Sequence, residues 1–347
     1  MIVFALVFVT AWSQENSRFR ELGVVVERTD LISESSIDKL LGNCIKYRIG
    51  TLYIPVVSYM EALYDSKLLP RSNVLINNKT PLDFDPISYI MEKGETFGVK
   101  IVLTIDPLTV WPGKDLPVNA LHISNSHSDW LSRDSMGMLL YDPVIMDPGV
   151  PEVQSFIIAV FKELMLKYNP TYIAIDSLEY PDNSYGYNPY AMKSFETFKR
   201  QNFNKPINID DYRVHVLSDI VSRINEVRDS LGVRTRFYIF CNSDPELSKK
   251  DNFQDWVVWV NSGDISKAIM WYWYPDVRNV RYDTSRAEDN ILSGRFIPAL
   301  SPLEMGKSQF TLIMKNLLEY DFDEMTIDVF DRSILETLNS LKVGVPR

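Results

Sequence analysis

The residues of this chain best suited to chemistry are acids that follow short apolar segments. Asp176 comes directly after the apolar segment 171–175, and Glu179 lies three positions further along the chain. A carboxylate at the carboxyl end of a buried strand occupies the position where α/β barrels hold their reactive groups. Asp176 is therefore the first candidate for a catalytic residue, and Glu179 is the candidate nearest to it in sequence.

Three further acids take comparable positions. Asp106 ends the apolar segment 99–105, while Asp244 and Glu246 follow the segment 236–241. Two carboxyl groups can hydrolyse a glycosidic bond when one protonates the leaving oxygen and the other acts as nucleophile or base. The competing interpretation is structural, because acids in such positions often cap helices or pair with Arg and Lys. The candidate catalytic residues are Asp176, Glu179, Asp244, Glu246 and Asp106.

Aromatic residues accompany these acids in the predicted loops. Residues 271–276 read WYWYPD, and the alternation of side chains along a strand directs about half of such a run inward and half toward the helices. Aromatic rings in a cleft can stack on sugars, and packing between barrel and helices is the alternative. The candidate substrate-binding residues are Trp111, Trp130, Tyr180, Tyr187, Tyr272, Trp273, Tyr274 and Asp328. At least two of Trp111, Trp130, Tyr187, Trp273 and Tyr274 are expected to line the cleft of Asp176.

Composition argues against several other classes of protein. The net charge is −10 without a basic cluster, which makes nucleic acid an improbable partner. With three histidines in 347 residues, neither a His-rich metal site nor a Ser-His-Asp triad is expected. There is no glycine-rich phosphate loop and no dinucleotide fingerprint. We therefore expect no cofactor and no metal, and the expected partner is a polysaccharide or oligosaccharide.

Short apolar segments alternate with amphipathic ones along most of the chain. This alternation predicts parallel strands joined by helices, and eight such units predict an α/β fold of the (β/α)8 TIM barrel type. The predicted strands are 22–27, 51–57, 99–105, 171–175, 236–241, 268–272, 296–300 and 324–328. The predicted helices are 36–47, 86–97, 151–168, 212–231, 253–261, 285–292, 307–320 and 333–341.

No linker or change of composition divides the chain, so residues 14–347 are predicted to form a single domain. Long loops follow strands three and four, over residues 106–149 and 177–211, and both are expected to cover the same face of the barrel. Cys44 and Cys241 lie in apolar surroundings far apart in sequence, which favours two buried free thiols over a disulfide.

The amino terminus resembles an export signal. Residues 2–12 are apolar, too short for a membrane span, and followed by small residues suited to cleavage before Gln14. The alternative is a buried first strand, since no Lys or Arg precedes the apolar segment. The sequence predicts a signal peptide over residues 1–13, export to the periplasm or the medium, and no stable membrane span.

Four segments together resemble one protein family. They are EALYDSKLLP at residues 61–70, HISNSHSDWLSRDSMG at 122–137, MDPGVPEVQSFI at 146–157 and YIAIDSLEYPDNSYGYNP at 172–189. In their order and spacing, these segments are similar to those of the glycosyl-hydrolase-like family 10, exported glycosidases with a TIM barrel. The resemblance extends from about Leu22 to Asp276.

The resemblance implies roles for particular residues and also marks departures. Asp176 takes the position of the family's signature Asp, a catalytic carboxylate. The residues that match the loop shaping the cleft are Tyr180, Pro181, Gly186 and Tyr187. Glu179 stands where the family has an Arg, and Asp106 precedes Pro107 where the family has Asn-Pro. The activity that the resemblance implies is cleavage of glycan strands such as those of peptidoglycan.

Two functions of different class follow from these observations. The first is an exported glycoside hydrolase that cleaves a polysaccharide with paired carboxylates. The alternative is a carbohydrate-binding TIM barrel that has lost catalysis, and a surface protein with a degenerate cleft is a third interpretation. A second carboxyl group opposite Asp176 would favour the hydrolase over the binding protein, and an acid that follows strand five is the preferred candidate for it.

Overall fold

Eight parallel strands form a closed barrel in the computed structural model. The model describes residues 21–272, 276–291, 294–320, 322–328 and 331–341. The strands are β1 Glu21–Val25, β2 Thr51–Ser58, β3 Lys100–Ile105, β4 Tyr172–Ile175, β5 Arg236–Asn242, β6 Lys267–Trp271, β7 Phe296–Leu300 and β8 Glu324–Ile327. The barrel closes because β1 pairs in parallel with both β8 and β2. The predicted (β/α)8 fold is confirmed.

A helix follows each strand and covers the outside of the barrel. These helices are α1 Glu34–Tyr47, α2 Pro86–Phe97, α3 Pro151–Tyr168, α4 Ile209–Leu231, α5 Trp256–Ser262, α6 Val277–Asn290, α7 Lys307–Leu317 and α8 Arg332–Ser340. Local chemistry sets several of their ends: Asp85 caps α2, proline opens α2 and α3, and Gly232 ends α4 in a left-handed conformation.

Five helix starts differ from those predicted, and two of these differences have a clear local cause. The fifth helix begins at Trp256 rather than at 253, since Phe253 adopts a positive φ of 59° that a helix does not allow. The sixth begins at Val277 rather than at 285, because the Asp276 side chain accepts hydrogen bonds from the amides of Arg278 and Asn279 and so caps the helix.

Charged residues close the amino-terminal end of the barrel. Lys100 lies 2.9 Å from Glu21 and 3.1 Å from Glu324, and Lys267 lies 2.8 Å from Glu324. These four residues are the first residues of β1, β3, β6 and β8. Apolar side chains fill the space above them, among them Val102, Ile269 and Ile297. The interior of the barrel is therefore open at the carboxyl ends of the strands.

The two long loops contain small elements of their own. The loop after β3 holds an antiparallel pair of short strands, Thr109–Trp111 and Val144–Ile145, with a helical turn at Ile123–Ser126. The loop after β4 holds the helix Pro189–Gln201. Both loops leave the carboxyl ends of their strands, as predicted.

Three further sequence predictions concern the cysteines, a membrane span and the signal peptide. Cys44 and Cys241 are free and buried, which confirms the prediction of two unpaired thiols. None of the helices that the structure describes is both long and apolar enough to cross a lipid bilayer. The predicted signal peptide, residues 1–13, lies outside the described residues.

Candidate active site

A cavity of about 1090 Å³ opens at the carboxyl ends of the strands. Asp176, Glu179, Asp244, Tyr272 and Asp328, all proposed from the sequence, line it. They come from four different strand ends or the loops that follow them. The barrel therefore brings together acids that lie up to about 150 positions apart in the chain.

Asp176 stands directly beyond the last residue of β4. Its amide donates to the carbonyl of Ile105 at 2.8 Å, which continues the strand pairing and holds the carboxylate at the barrel rim. Ser177 follows with a positive φ of 47°, a left-handed conformation that is strained for a residue with a side chain. Such strain clusters at functional sites, where the surrounding structure maintains it. The Ser177 hydroxyl donates to Asp176 Oδ1 at 3.3 Å.

Glu179, Asp176 and Asp106 form one electrostatic cluster, which we call the acid cluster. Burial first, and then the charges of Asp176 and Asp106, raise the pKa of Glu179 to about 8. Burial and the Asp176 charge raise the pKa of Asp106 to about 7, and burial raises that of Asp176 to about 6. The cluster therefore holds protonated and ionised carboxyl groups side by side near neutral pH.

The members of the acid cluster differ in how they are held. Asp106 Oδ1 accepts hydrogen bonds from the amides of Leu108 at 3.2 Å and Thr109 at 2.9 Å, which fix it in a turn. The carboxyl group of Glu179 has no hydrogen-bond or ion-pair partner among the described residues. Asp176 and Glu179 both line the cavity, and Glu179 is the one of the two whose carboxyl group no described residue engages.

The two acids after β5 have structural partners. Asp244 caps the helix Pro245–Asp251 by accepting hydrogen bonds from the amides of Glu246 and Leu247, and Arg286 lies 3.7 Å from it. Glu246 pairs with Arg286, its side chain is 78% exposed, and it does not line the cavity. Asp244, which lines the cavity, is thus engaged by a helix terminus, and Glu246 is engaged by Arg286.

Trp271, the last residue of β6, is one aromatic residue of the WYWYPD segment, and its side chain faces the barrel interior. Its ring stacks on that of Phe240 with 5.9 Å between centroids and 14° between planes, and both rings line the cavity. Tyr272 lies on the opposite side of the strand, where its hydroxyl group is 2.8 Å from Thr284 of α6. Trp273 and Tyr274 lie outside the described residues.

Two predicted sugar-binding tryptophans pack within the loop after β3. The ring of Trp111 lies edge-on to Tyr59 and His122, and that of Trp130 stacks on His127 at 3.9 Å between centroids. Neither tryptophan is among the residues that line the cavity. Both rings pack within the loop and help to order it. For these two tryptophans the structure thus supports packing, the alternative to sugar binding.

Tyr180 and Tyr187 are grouped around a buried arginine of α4. The guanidinium of Arg213 lies 5.6 Å from the ring centre of Tyr180 and 4.9 Å from that of Tyr187. Arg213 also donates to the carbonyls of Asn183 and Tyr185 and pairs with Asp210 at 2.8 Å. These two tyrosines do not line the cavity but organise the loop that carries Glu179.

Asp147 joins the two long loops. It is fully buried and accepts hydrogen bonds from the amides of Gly149 at 3.0 Å and Asn188 at 3.1 Å. Burial raises the pKa of Asp147 to about 6, and the Arg213 charge acts in the opposite direction. The MDPG segment thus anchors the loop after β4 in addition to starting α3.

Several lining residues were not proposed from the sequence. Trp271 and Phe240 could have been found by continuing the side-chain alternation to the ends of their strands. Asp283 lies in the middle of α6 and accepts a hydrogen bond from the Ser243 hydroxyl at 2.6 Å. Nothing near Asp283 in the sequence indicates that it reaches the cavity, because its position depends on how α6 packs.

No group of three or more His, Cys, Asp or Glu side chains converges to hold a metal ion within the part of the chain that the structure describes. His122, in the long third loop, bonds instead to the Tyr59 carbonyl and the Ser124 hydroxyl, each at 2.8 Å. His122 thereby supports Tyr59 and Met60, which adopt positive φ values of 55° and 52° after β2.

Comparison with known proteins gives a consistent result. The model of the family described as "Glycosyl hydrolase-like 10" matches residues 24–307. "Glycosyl hydrolase YngK" of Bacillus subtilis is 24% identical over 266 residues, covering 71% of this chain and 50% of that protein. "Glycosyl hydrolase DigH" of Escherichia coli K12 is 24% identical over 186 residues, covering 50% of this chain and 39% of that protein. The chain thus matches about half the length of these relatives or less.

Solved structures share the fold. The glycoside hydrolase domain of PgaB (BpsB) from Bordetella bronchiseptica superposes with a TM-score of 0.64 at 11% identity, covering 94% of this chain and 99% of that one. The catalytic domain of a β-amylase from Paenibacillus polymyxa gives a TM-score of 0.59 at 15% identity, with 95% of each chain covered. At such low identity these likenesses concern the barrel alone.

Proposed function

This chain belongs to the glycosyl hydrolase-like 10 family, and from that membership and the acid cluster we propose that it hydrolyses glycosidic bonds in a polysaccharide. The observation that carries the proposal is that Glu179 and Asp176 line one cavity at the barrel rim, where their surroundings raise the pKa of Glu179 to about 8 and that of Asp176 to about 6. Glycoside hydrolysis requires one carboxyl to be protonated while another is ionised.

The acid cluster assigns a different role to each of its members. Glu179, which is protonated at neutral pH and has no described partner, is the general acid that gives its proton to the leaving oxygen. Asp176, which is ionised above about pH 6, is the nucleophile or the base. Asp106 is a positioning residue, since its charge helps to keep the proton on Glu179. Trp271 provides an aromatic surface for a sugar ring.

Two variants test these roles by the leaving group of the substrate. Asp176→Asn keeps the shape of the side chain and removes its charge, so hydrolysis should fall about 100-fold or more on every substrate. Glu179→Gln should lose as much activity on a polysaccharide but retain activity on aryl glycosides with acidic phenols, which leave without protonation. Release of reducing ends and of the phenol are the two measurements.

Glu246→Gln is the matched comparison because Glu246 is an exposed acid outside the cavity. This variant should retain native activity on both substrates. Loss of activity in Glu246→Gln with retention in Glu179→Gln would return the assignment to the acids after β5. Binding of glycans without any cleavage by the native protein would favour the carbohydrate-binding alternative.

The first substrate to test is the glycan strand of peptidoglycan, which the sequence resemblance indicates. Cleavage of such strands would take place outside the cytoplasm, and we therefore include export in the proposal. The apolar residues 2–12 support it. Amino-terminal sequencing of secreted or periplasmic protein should find Gln14 first, and an intact Met1 on cytoplasmic protein would contradict export.

A further inference from the structure

The position of the Glu179 side chain is set through its backbone. No described residue engages the Glu179 carboxyl group, so its place in the cavity depends on the two peptide groups that flank its Cα atom. A segment of three residues in the loop after β5 binds both of these peptide groups. We call this segment, Asn252, Phe253 and Gln254, the clamp.

Each flanking peptide group has a partner in the clamp. On the amino-terminal side of Glu179, Gln254 Nε2 donates to the Leu178 carbonyl at 3.4 Å. On the carboxyl-terminal side, the amide of Tyr180 donates to the Asn252 carbonyl at 3.2 Å. The Asn252 side chain also donates to the Tyr180 carbonyl at 3.3 Å. The backbone on both sides of Glu179 is therefore held by the loop after β5.

Gln254 connects this segment to the barrel itself. Its side chain is fully buried, and Nε2 also donates to the Phe240 carbonyl of β5 at 3.1 Å. The hydroxyl group of Ser248 donates to Gln254 Oε1 at 3.1 Å, which fixes the orientation of the amide. Both donors of the Gln254 side chain are thus used within the protein, and Gln254 does not line the cavity. Its effect on a substrate can only be indirect.

Phe253, in the middle of the clamp, is strained. Its φ of 59° lies in the left-handed region, which a bulky residue rarely adopts. The Phe253 ring lies edge-on to that of Tyr180, with 5.6 Å between centroids, and 4.8 Å from the guanidinium carbon of Arg213. Strain of this kind persists only where the surrounding structure maintains it, and it clusters at functional sites. It is an observation independent of the hydrogen bonds of Gln254.

Asp176 is held by a different element. Its amide donates to the Ile105 carbonyl of β3 at 2.8 Å, whereas the bonds from the clamp to the loop after β4 involve residues 178 and 180–181. A change in the clamp should therefore displace Glu179 more than Asp176. The two acids can then be perturbed separately.

We propose that Gln254 is a positioning residue, which holds the peptide group before Glu179 so that the Glu179 carboxyl group reaches the leaving oxygen. The inference rests on the proposed function and adds a residue that does not touch the substrate. A general acid contributes about 10²–10⁴-fold to a rate, and a displacement of about 1 Å can cost about 100-fold. Loss of the Gln254 hydrogen bonds should therefore slow reactions that need the acid and spare those that do not.

Gln254→Met tests this role, since Met is close to Gln in size and cannot donate a hydrogen bond. On the polysaccharide that the native protein cleaves, kcat should fall about tenfold or more, with KM within about twofold. On the dinitrophenyl glycoside of a sugar from that polysaccharide, whose phenol leaves without protonation, kcat/KM should stay within about twofold. Release of reducing ends and of dinitrophenol are measured per mole of folded protein.

Gln154→Met is the matched control. Gln154 Nε2 donates to the Pro148 carbonyl at 2.9 Å, its Oε1 accepts from Arg223 at 3.0 Å, and it does not line the cavity. The control removes the same kinds of hydrogen bond from α3 and should leave both activities within about twofold.

Ser248→Ala is a milder second variant, which decides the matter if Gln254→Met does not fold. It removes the hydroxyl group that orients the Gln254 amide. The variant should lower kcat on the polysaccharide about threefold and leave cleavage of the dinitrophenyl glycoside unchanged.

The outcomes separate this inference from the proposed function. Equal losses on both substrates in Gln254→Met, or no loss on either, overturn the positioning role and leave the hydrolase intact. The same results in Ser248→Ala do so if the first variant does not fold. Equal effects of Gln254→Met and Gln154→Met also overturn it, because the clamp would then have no special part. Failure of the native protein to cleave any glycan overturns the proposed function and this inference together.

Discussion

Replacement of Glu179 by Gln should stabilise the protein at high pH and leave its stability unchanged in acid. Burial and the charges of Asp176 and Asp106 raise the pKa of Glu179 from the ordinary 4.5 to about 8. Between these two values the folded protein holds a proton that the unfolded chain has lost. The free energy of unfolding therefore falls as pH rises through this window, and below pH 4.5 both states are protonated and Glu179 has no such effect.

The size of the effect follows from the same pKa difference. It amounts to about 3 kcal/mol at pH 7 and approaches about 5 kcal/mol above pH 8, as an upper bound. Gln keeps the shape of the side chain and cannot ionise, so the Glu179→Gln variant avoids this loss. Asp176 and Asp106 also lose a neighbouring charge in the variant, which adds stability in the same direction.

Urea unfolding at a series of pH values measures the effect. The native protein and the Glu179→Gln variant should have the same free energy of unfolding near pH 4, and the variant should be more stable by several kcal/mol near pH 9. Glu246→Gln is the control, since its carboxylate is exposed and paired with Arg286 and should show no stabilisation. A difference between native protein and Glu179→Gln that does not change with pH would refute the electrostatic account of the acid cluster.

Three further predictions concern the loops, the cavity and its pH dependence. Gly186→Ala should lower the free energy of unfolding, measured in urea, by about 1–3 kcal/mol more than Gly137→Ala does. Both glycines have a positive φ, but only at Gly186 would an added Cβ lie 2.9 Å from Arg213 Nε. Equal losses of stability would contradict this packing. Trp271→Ala should weaken glycan binding about tenfold, while Trp130→Ala, outside the cavity, should leave it within twofold; equal losses would remove the stacking role. The pH profile of kcat/KM should fall below about 6, where the proposed base is protonated, and above about 8, where the proposed acid ionises; a profile flat from pH 5 to 9 would contradict both assignments.

The fold could be predicted from the sequence because its signals are local. Each strand is a short apolar segment, and each helix is an amphipathic one. Pro, Asn and Gly lie within a few residues of many of the boundaries between these segments. Eight alternating units then leave few arrangements other than a closed parallel barrel. The same logic placed Asp106, Asp176 and Asp328 at one end, since the carboxyl ends of parallel strands share a face.

The local sequence also indicates a structural role, rather than a catalytic one, for two candidate acids. Asp244 is followed by Pro245 and Glu246, a pattern typical of an Asp cap, a Pro in the first turn and an acid near the start of a helix. Both acids follow a strand, which is why the sequence also presents them as catalytic candidates. The aromatic candidates from the sequence lie beyond Trp271, although the inward side chain at the end of a strand is the one that the barrel directs into the cavity.

Only the tertiary structure decided which groups share an environment. The pKa values of the acid cluster depend on burial and on charges more than 60 residues apart in the chain, from Asp106 to Asp176 and Glu179. Asp283 reaches the cavity from the middle of a helix, where its neighbours in sequence give no sign of it. Residue type and spacing determine which helices and strands form, because the interactions that start and end these elements act over a few residues. The charge and solvation of a site depend on the packing of distant segments, and this became defined only when the barrel closed.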